Sequence, residues 1–284
     1  MRDLRATEGP DLDVAAYAAR LAYRGRLDPS VETLRGLHEA HALTVPFENL
    51  DVQLGRPISL EPAVLFQKIV QARRGGYCFE LNGLFAVILE RLGFTVHRLM
   101  ARVLYGSATV RPRSHEVLLV DIEGDREGDR WIADVGFGVN GLLAPLPLRA
   151  GYEERQHQDH FRLIGRESRS GRTFTLQFET RGTWHDLYEF TLEPYRPEDY
   201  ILANYYHSHA SDSLFVQHVI CTKPTTEGRV TLLDRKLKIR TKGVTQHSTV
   251  NLLDDFRTLL KVHFGIEDDG IAAGVARGWD RLGA

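Results

Sequence analysis

The sequence predicts an α+β fold, and three observations carry that prediction. Roughly the first hundred residues hold apolar side chains at three- and four-residue spacing, the mark of amphipathic helices. From Phe94 the texture changes to short β-rich segments separated by turn formers. A last amphipathic stretch near 251–264 closes the order, so helices and strands are segregated along the chain rather than alternating.

Asp11 to Tyr23 and Ser30 to Leu43 read as the first two helices, with Gly25 and Pro46 as stops. A third is expected from Glu61 to Arg73, with Pro62 in its first turn. A fourth begins around Cys78, where Leu81, Leu84, Phe85, Ile88, Leu89 and Leu92 form one stripe and Gly93 caps the end. Strands follow at 94–105, 115–122 and 130–135, the last two separated by the turn Glu123-Gly124-Asp125. Further strands are expected near 161–164, 172–179, 187–192, 214–222 and 229–240. The final helix presents Leu252, Leu253, Phe256, Leu259, Leu260 and Phe264 on one face. No internal repeat or low-complexity linker divides the chain.

The 284 residues suit one large domain or two to three small ones. A formal charge of −2 excludes, on overall balance, a strongly basic nucleic-acid binder. No apolar run approaches the roughly 18 residues of a spanning helix, and the segment Met1–Asp13 has no secretory apolar region. Two cysteines, Cys78 and Cys221, are too few for a disulfide scaffold and fit a reducing compartment. A cytoplasmic protein without membrane or nucleic-acid partners is the expectation, and oligomeric state stays open, a homodimer included.

The stretch Arg73-Arg74-Gly75-Gly76-Tyr77-Cys78-Phe79-Glu80-Leu81-Asn82 carries the most chemistry. Two glycines allow a sharp turn, and Cys78 falls in the first turn of a helix, where free N–H groups favour a thiolate. Arg73 and Arg74 are expected to add to that field, and the same N–H groups suit an oxyanion. A small buried cysteine in a glycine-rich turn is the alternative reading. A thiol nucleophile also needs a base and an acid to orient it. His115 opens one strand and Asp134 ends the next, between Ala133 and Val135. A hairpin brings them to one face if paired residue numbers have an odd sum, for instance 249 or 251. The alternative here is a strand-edge histidine and an aspartate that caps a turn.

With those residues in view, the chain resembles the arylamine N-acetyltransferase family. Pro46-Phe47-Glu48-Asn49-Leu50, Arg74-Gly75-Gly76-Tyr77-Cys78-Phe79-Glu80-Leu81-Asn82 and Asp134-Val135-Gly136-Phe137-Gly138 are similar to its motifs, in its order, with His115 in place between the last two. A weaker likeness extends through Leu187–Pro194 and from Asn204-Tyr205-Tyr206 to Phe215. The resemblance implies an N-terminal helical bundle (1–93), a central β-barrel-like domain (94–205) and a C-terminal α/β lid (206–284), built on a cysteine-protease-like Cys-His-Asp core. It implies ping-pong acetyl transfer from acetyl-CoA to the nitrogen of an arylamine or arylhydrazine. Cys78 would be the nucleophile, His115 the base and Asp134 the orienting acid. Phe47, Phe137 and Phe215 would wall the acceptor pocket, and Tyr188 would bond the acid. Tyr206 and Ser213 would lie along the CoA cleft. The loop before His115, Ser107–Ser114, departs in sequence; in relatives it contributes to coenzyme binding, which would make Arg111 and Arg113 phosphate partners, against the alternative of an exposed basic loop.

Other constellations carry less. His157 with His160, and His207 with His209, lack a cysteine pair and read as polar surface, so no metal is expected. No GxxxxGK[ST] run occurs, so a nucleotide-triphosphate cradle has no support. Cys221 reads as core. The rival readings are an amide synthase or other thiol acyltransferase or hydrolase with the same trio, for which a large apolar cleft would speak, and a binding protein that keeps the fold.

Overall fold

A computed structural model describes residues 12–122, 124, 130–168, 171–267 and 270–278. The expected helix start at Asp11, the segment before it and the Asp125–Asp129 turn lie outside the described residues.

The N-terminal third is helical. Helix α1 (Val14–Arg20) starts where Asp13 accepts from Ala16 N at 3.0 Å, and α2 (Val31–Thr44) where Ser30 accepts from Thr33 N at 3.3 Å. Pro46 ends α2, and a two-residue strand β1 (Phe47–Glu48) and a single turn α3 (Leu50–Gln53) follow. The helix expected over 61–73 divides: α4 (Pro62–Phe66) widens into a π-helical turn at Gln67–Gln71, which sets Lys68 among buried carboxylates. Helix α5 (Cys78–Arg91) matches the stripe read from sequence, and its first eleven positions but one are buried in the main core.

Eight antiparallel strands form one sheet: β2 (Thr95–Val103), β3 (Arg113–Asp121), β4 (Arg130–Ala133), β5 (Leu146–Pro147), β6 (Tyr152–Gln156), β7 (Asp159–Ser168), β8 (Gly171–Thr180) and β9 (Thr183–Phe190). Their order is β5-β4-β3-β2-β9-β8-β7-β6, and the end strands β5 and β6 meet, so the sheet curls into a nearly closed barrel. Alternation on β3 divides two cores: Leu118 and Val120 pack on the helices, Val117 and Leu119 inside the barrel.

After helix α6 (Tyr200–His209) the chain builds a second antiparallel sheet from β10 (Ile220–Thr225), β11 (Gly228–Leu233), β12 (Lys236–Thr241) and β13 (Val244–Thr249). Strand β1 joins it beside β10, with Phe47 facing Thr222. Helices α8 (Leu253–Phe264) and α9 (Ile271–Ala276) cover this sheet with Phe256, Leu260, Phe264 and Ile271. Two expected strands are corrected. Within 214–222, Ser213 caps a helical turn, α7 (Leu214–Gln217), and the strand starts only at Ile220. The span 229–240 is two strands reversed at Asp234, whose φ of 54° lies in the left-handed region. Among the described residues no helix is long and apolar enough to cross a membrane.

Candidate active site

Cys78 is set by a turn with no spare room. A Cβ on Gly75 would lie 2.0 Å from the Pro46 carbonyl oxygen, so only glycine passes there. Buried ions brace the turn: Arg74 pairs with Glu48 at 2.7 Å and reaches Asp51 at 3.4 Å, and Lys68 sits 2.7 Å from both Asp51 and Glu80. Glu80 also accepts from Tyr77 N at 3.0 Å, which caps α5. Arg74 is thereby spent on carboxylates and Arg73 lies at the surface, so the expected support of Cys78 by these arginines is corrected: Arg74 locks the turn instead.

The Cys78 thiol is buried and faces the Ser114 carbonyl oxygen at 4.0 Å rather than donating to the imidazole. Burial pushes the thiol up; the N–H groups of Glu116 and Phe79 oppose this, and the charges of Glu116 and Asp134 add to it. The helix start thus supplies one N–H, that of Phe79, and β3 the other, but burial outweighs both.

In β3 and β4, Leu118 faces Ala133, so paired numbers total 251, one of the registers named from sequence. His115 and Asp134 consequently share a face, and His115 Nε2 meets Asp134 Oδ2 at 2.7 Å, both side chains buried. Burial alone would raise the Asp134 carboxyl; His115, the Asn82 amide at 2.9 Å and Gly136 N–H at 2.9 Å hold it below the usual carboxylate range. The Asp134 backbone N–H is in turn accepted by His38 Nε2 at 3.1 Å. Gly136 runs against the nucleophile turn so closely that a Cβ there would lie 2.9 Å from Cys78 Cα.

Three contributors escaped the sequence reading. Asn82, one turn after Cys78, donates to Glu116 O at 2.7 Å as well as to Asp134, and accepts from Val135 N at 2.9 Å. Its signal was a polar residue inside an apolar stripe. His38 gave no signal beyond a histidine on a buried helix face. His207, read as polar surface, instead donates from Nε2 to Ser114 O at 2.9 Å, the carbonyl that Cys78 faces, and packs its ring 5.0 Å from Phe215.

The comparisons with known proteins bear on this arrangement. A family profile described as N-acetyltransferase matches residues 30–271. An arylamine N-acetyltransferase / N-hydroxyarylamine O-acetyltransferase of Salmonella typhimurium is 42% identical over 219 residues, 76% of this chain and 75% of the relative. The arylamine N-acetyltransferase of Mycolicibacterium smegmatis is 36% identical over 260 residues, 90% of this chain and 92% of that one. The chain belongs to the arylamine N-acetyltransferase family. It is an acyltransferase. The solved arylamine N-acetyltransferase of Mycobacterium marinum in complex with CoA superposes with a TM-score of 0.87 at 31% identity, covering 95% of this chain and 99% of that one.

In this acetyltransferase, Phe47 and Phe137 line a cavity of about 20 Å³ together with Asp134, Leu142, Thr222 and Arg229. Phe137 packs 5.2 Å from both His115 and Tyr188. Phe215 is not a wall of that cavity; it backs Phe47 at 5.9 Å and Tyr77 at 5.6 Å. Tyr188 lies with its ring 5.1 Å from His115, and its buried hydroxyl, within the field of Asp134, has no well-aligned hydrogen bond. Of the residues expected at CoA, Arg113 is engaged by Thr191 Oγ1 at 3.1 Å and Tyr195 Oη at 3.2 Å, and Ser213 by the His207 carbonyl at 2.8 Å. Arg111 and Tyr206 are exposed. His157 pairs with Glu39 on α2, and His160 with Glu179 on the neighbouring strand β8.

Proposed function

We propose that this chain transfers an acetyl group from acetyl-CoA to the nitrogen of arylamines or arylhydrazines through an acetyl-Cys78 intermediate. The observation that carries the reading is the His115–Asp134 bond at 2.7 Å: it occupies Nε2 and leaves Nδ1 as the nitrogen for the thiol that lies beside Ser114. The Cys78 proton passes to His115 Nδ1, and Asp134 stabilises the resulting imidazolium. Sulfur attacks the acetyl carbonyl, the carbon–sulfur bond to CoA breaks, and the CoA thiolate takes the proton from His115. N–H groups at the start of α5 receive the oxyanion.

An arylamine, mostly neutral at pH 7, then attacks acetyl-Cys78. It loses its proton to His115, which returns it to the sulfur. Tyr188 and Phe137 pack against the imidazole and against each other, and Phe47 and Phe137 grip the aromatic ring. Arg111 and Tyr206, both exposed, remain the CoA partners of this reading.

Incubation with acetyl-CoA alone tests the reading. An acetyl mass on the Cys78 peptide is expected in the wild type and not in Cys78→Ala; CoA release that survives in Cys78→Ala overturns it.

A further inference from the structure

We infer that His207 is a positioning residue for the nucleophile: it pins the Ser114 carbonyl beside Cys78 and damps the negative charge which that oxygen turns on the sulfur. The inference deepens the proposed reaction and rests on its first step, transfer of the thiol proton to His115.

The carbonyl owes its place to an irregularity in β3. Ala101 on β2 faces His115 and Arg102 faces Arg113, so Ser114 is the extra residue of a β-bulge. Its oxygen lies 4.0 Å from Cys78 Sγ and is the acceptor that the resting thiol faces. A carbonyl oxygen carries partial negative charge. Alone in a buried site it would hold the thiol proton and disfavour the thiolate. The Glu116 and Asp134 carboxylates bear on the thiol in the same sense.

His207 opposes this from another element. It projects from α6, and its Nε2 donates to the same oxygen at 2.9 Å. A carbonyl partner requires the proton on Nε2, which fixes the tautomer. Burial lowers the pKa of the ring; the bond to Ser114 acts against this, and the charge of His115 adds to it. His207 is therefore neutral at pH 7, and an imidazolium at His115 keeps it so. It supplies an N–H without competing for the proton of the reaction.

The ring is held where this N–H is needed. It packs against Tyr77 at 6.2 Å and Phe79 at 5.8 Å, the residues on either side of the nucleophile, and against Phe215 at 5.0 Å. Ser213 Oγ donates to the His207 backbone carbonyl at 2.8 Å. Since Ser114 directly precedes His115, the same bond also fixes the backbone from which the catalytic imidazole springs. With the carbonyl occupied by His207, Nδ1 of His115 is the better acceptor for the thiol proton.

The test is the pH profile of Cys78 alkylation by iodoacetamide, followed as mass on the Cys78 peptide of the whole chain. His207→Phe keeps an aromatic ring without a donor, and His207→Gln keeps an N–H donor near the Nε2 position. In His207→Phe the midpoint is expected to rise by roughly one pH unit, and the rate at pH 7 to fall about 10-fold. His207→Gln is expected to restore most of both. A role in packing alone would lower the rate equally at every pH and leave the midpoint unmoved. If His207→Phe does not fold, His207→Met removes the donor with a more pliant side chain and is read in the same way. A midpoint unchanged in a folded donor-free variant, or displaced as far in His207→Gln as in that variant, overturns the inference. Absence of an acetyl mass on Cys78 after acetyl-CoA counts against the reaction, while the alkylation midpoint still decides the role of His207.

Discussion

The two oxygens of Asp134 are not equivalent. Oδ1 accepts from Asn82 and Gly136, so Oδ2 alone faces His115. In Asp134→Asn the side-chain oxygen would keep those two donors and the new amide would face Nε2, forcing the ring proton onto Nδ1, where it blocks the thiol. Acetyl-Cys78 formation should fall by roughly 10⁴-fold while the thermal midpoint moves by only a few degrees; an active variant would overturn the assigned tautomer. His38 ties the same residue to pH. Burial lowers its pKa to about 4, while the unfolded chain titrates near 6.5. Below pH 6.5 the unfolded state binds a proton that the native state refuses, so stability falls as pH drops from about 6.5 towards 4, by on the order of 3 kcal/mol. Protonation would also aim an N–H at the Asp134 N–H. Urea midpoints at pH 7 and pH 5 should therefore separate less in His38→Gln than in the wild type.

At the scale of elements, the nucleophile turn is the most demanding piece of backbone. Gly75→Ala, which meets a carbonyl at 2.0 Å, should unfold the turn and cost more than about 3 kcal/mol, whereas Gly55→Ala, with open space and a φ of 67°, should cost about 1 kcal/mol. Thermal melts of the two variants check the contrast. What was legible in sequence follows from what each element buries. Helix α5 could be read because its stripe has a core to face, and the β3–β4 hairpin because its alternation divides two cores. Strand β13 could not, since all six of its residues are exposed and no apolar alternation marks it. Helix α6 exposes Ile201, Leu202 and Tyr205, which leaves it without a readable stripe. Side-chain partnerships such as Asn82 with Asp134 depend on two elements meeting, which spacing along one of them does not reveal.

For the molecule as a whole, the segment after α2 is sewn to the start of the second sheet. Asn49 donates to the carbonyls of Phe215 at 2.8 Å and His218 at 2.7 Å and accepts from Ile220 N at 2.8 Å, while Gln53 donates to Phe215 at 2.7 Å. Asn49→Ala leaves buried backbone groups unpaired and should lower stability by roughly 2–4 kcal/mol. Hydrogen exchange in that variant should accelerate in β10 and α7 before it does in the barrel; uniform acceleration would show that the two sheets open as one.

Strand β1 is both the edge of the second sheet and the carrier of Phe47. A compound that wedges in beside that ring pushes on a seam between residues 47 and 222, so loosening the seam and admitting the guest are the same displacement seen from two sides. Mutations far out on β12 or β13 that relax the sheet should thus widen the range of aromatic guests without touching any of them.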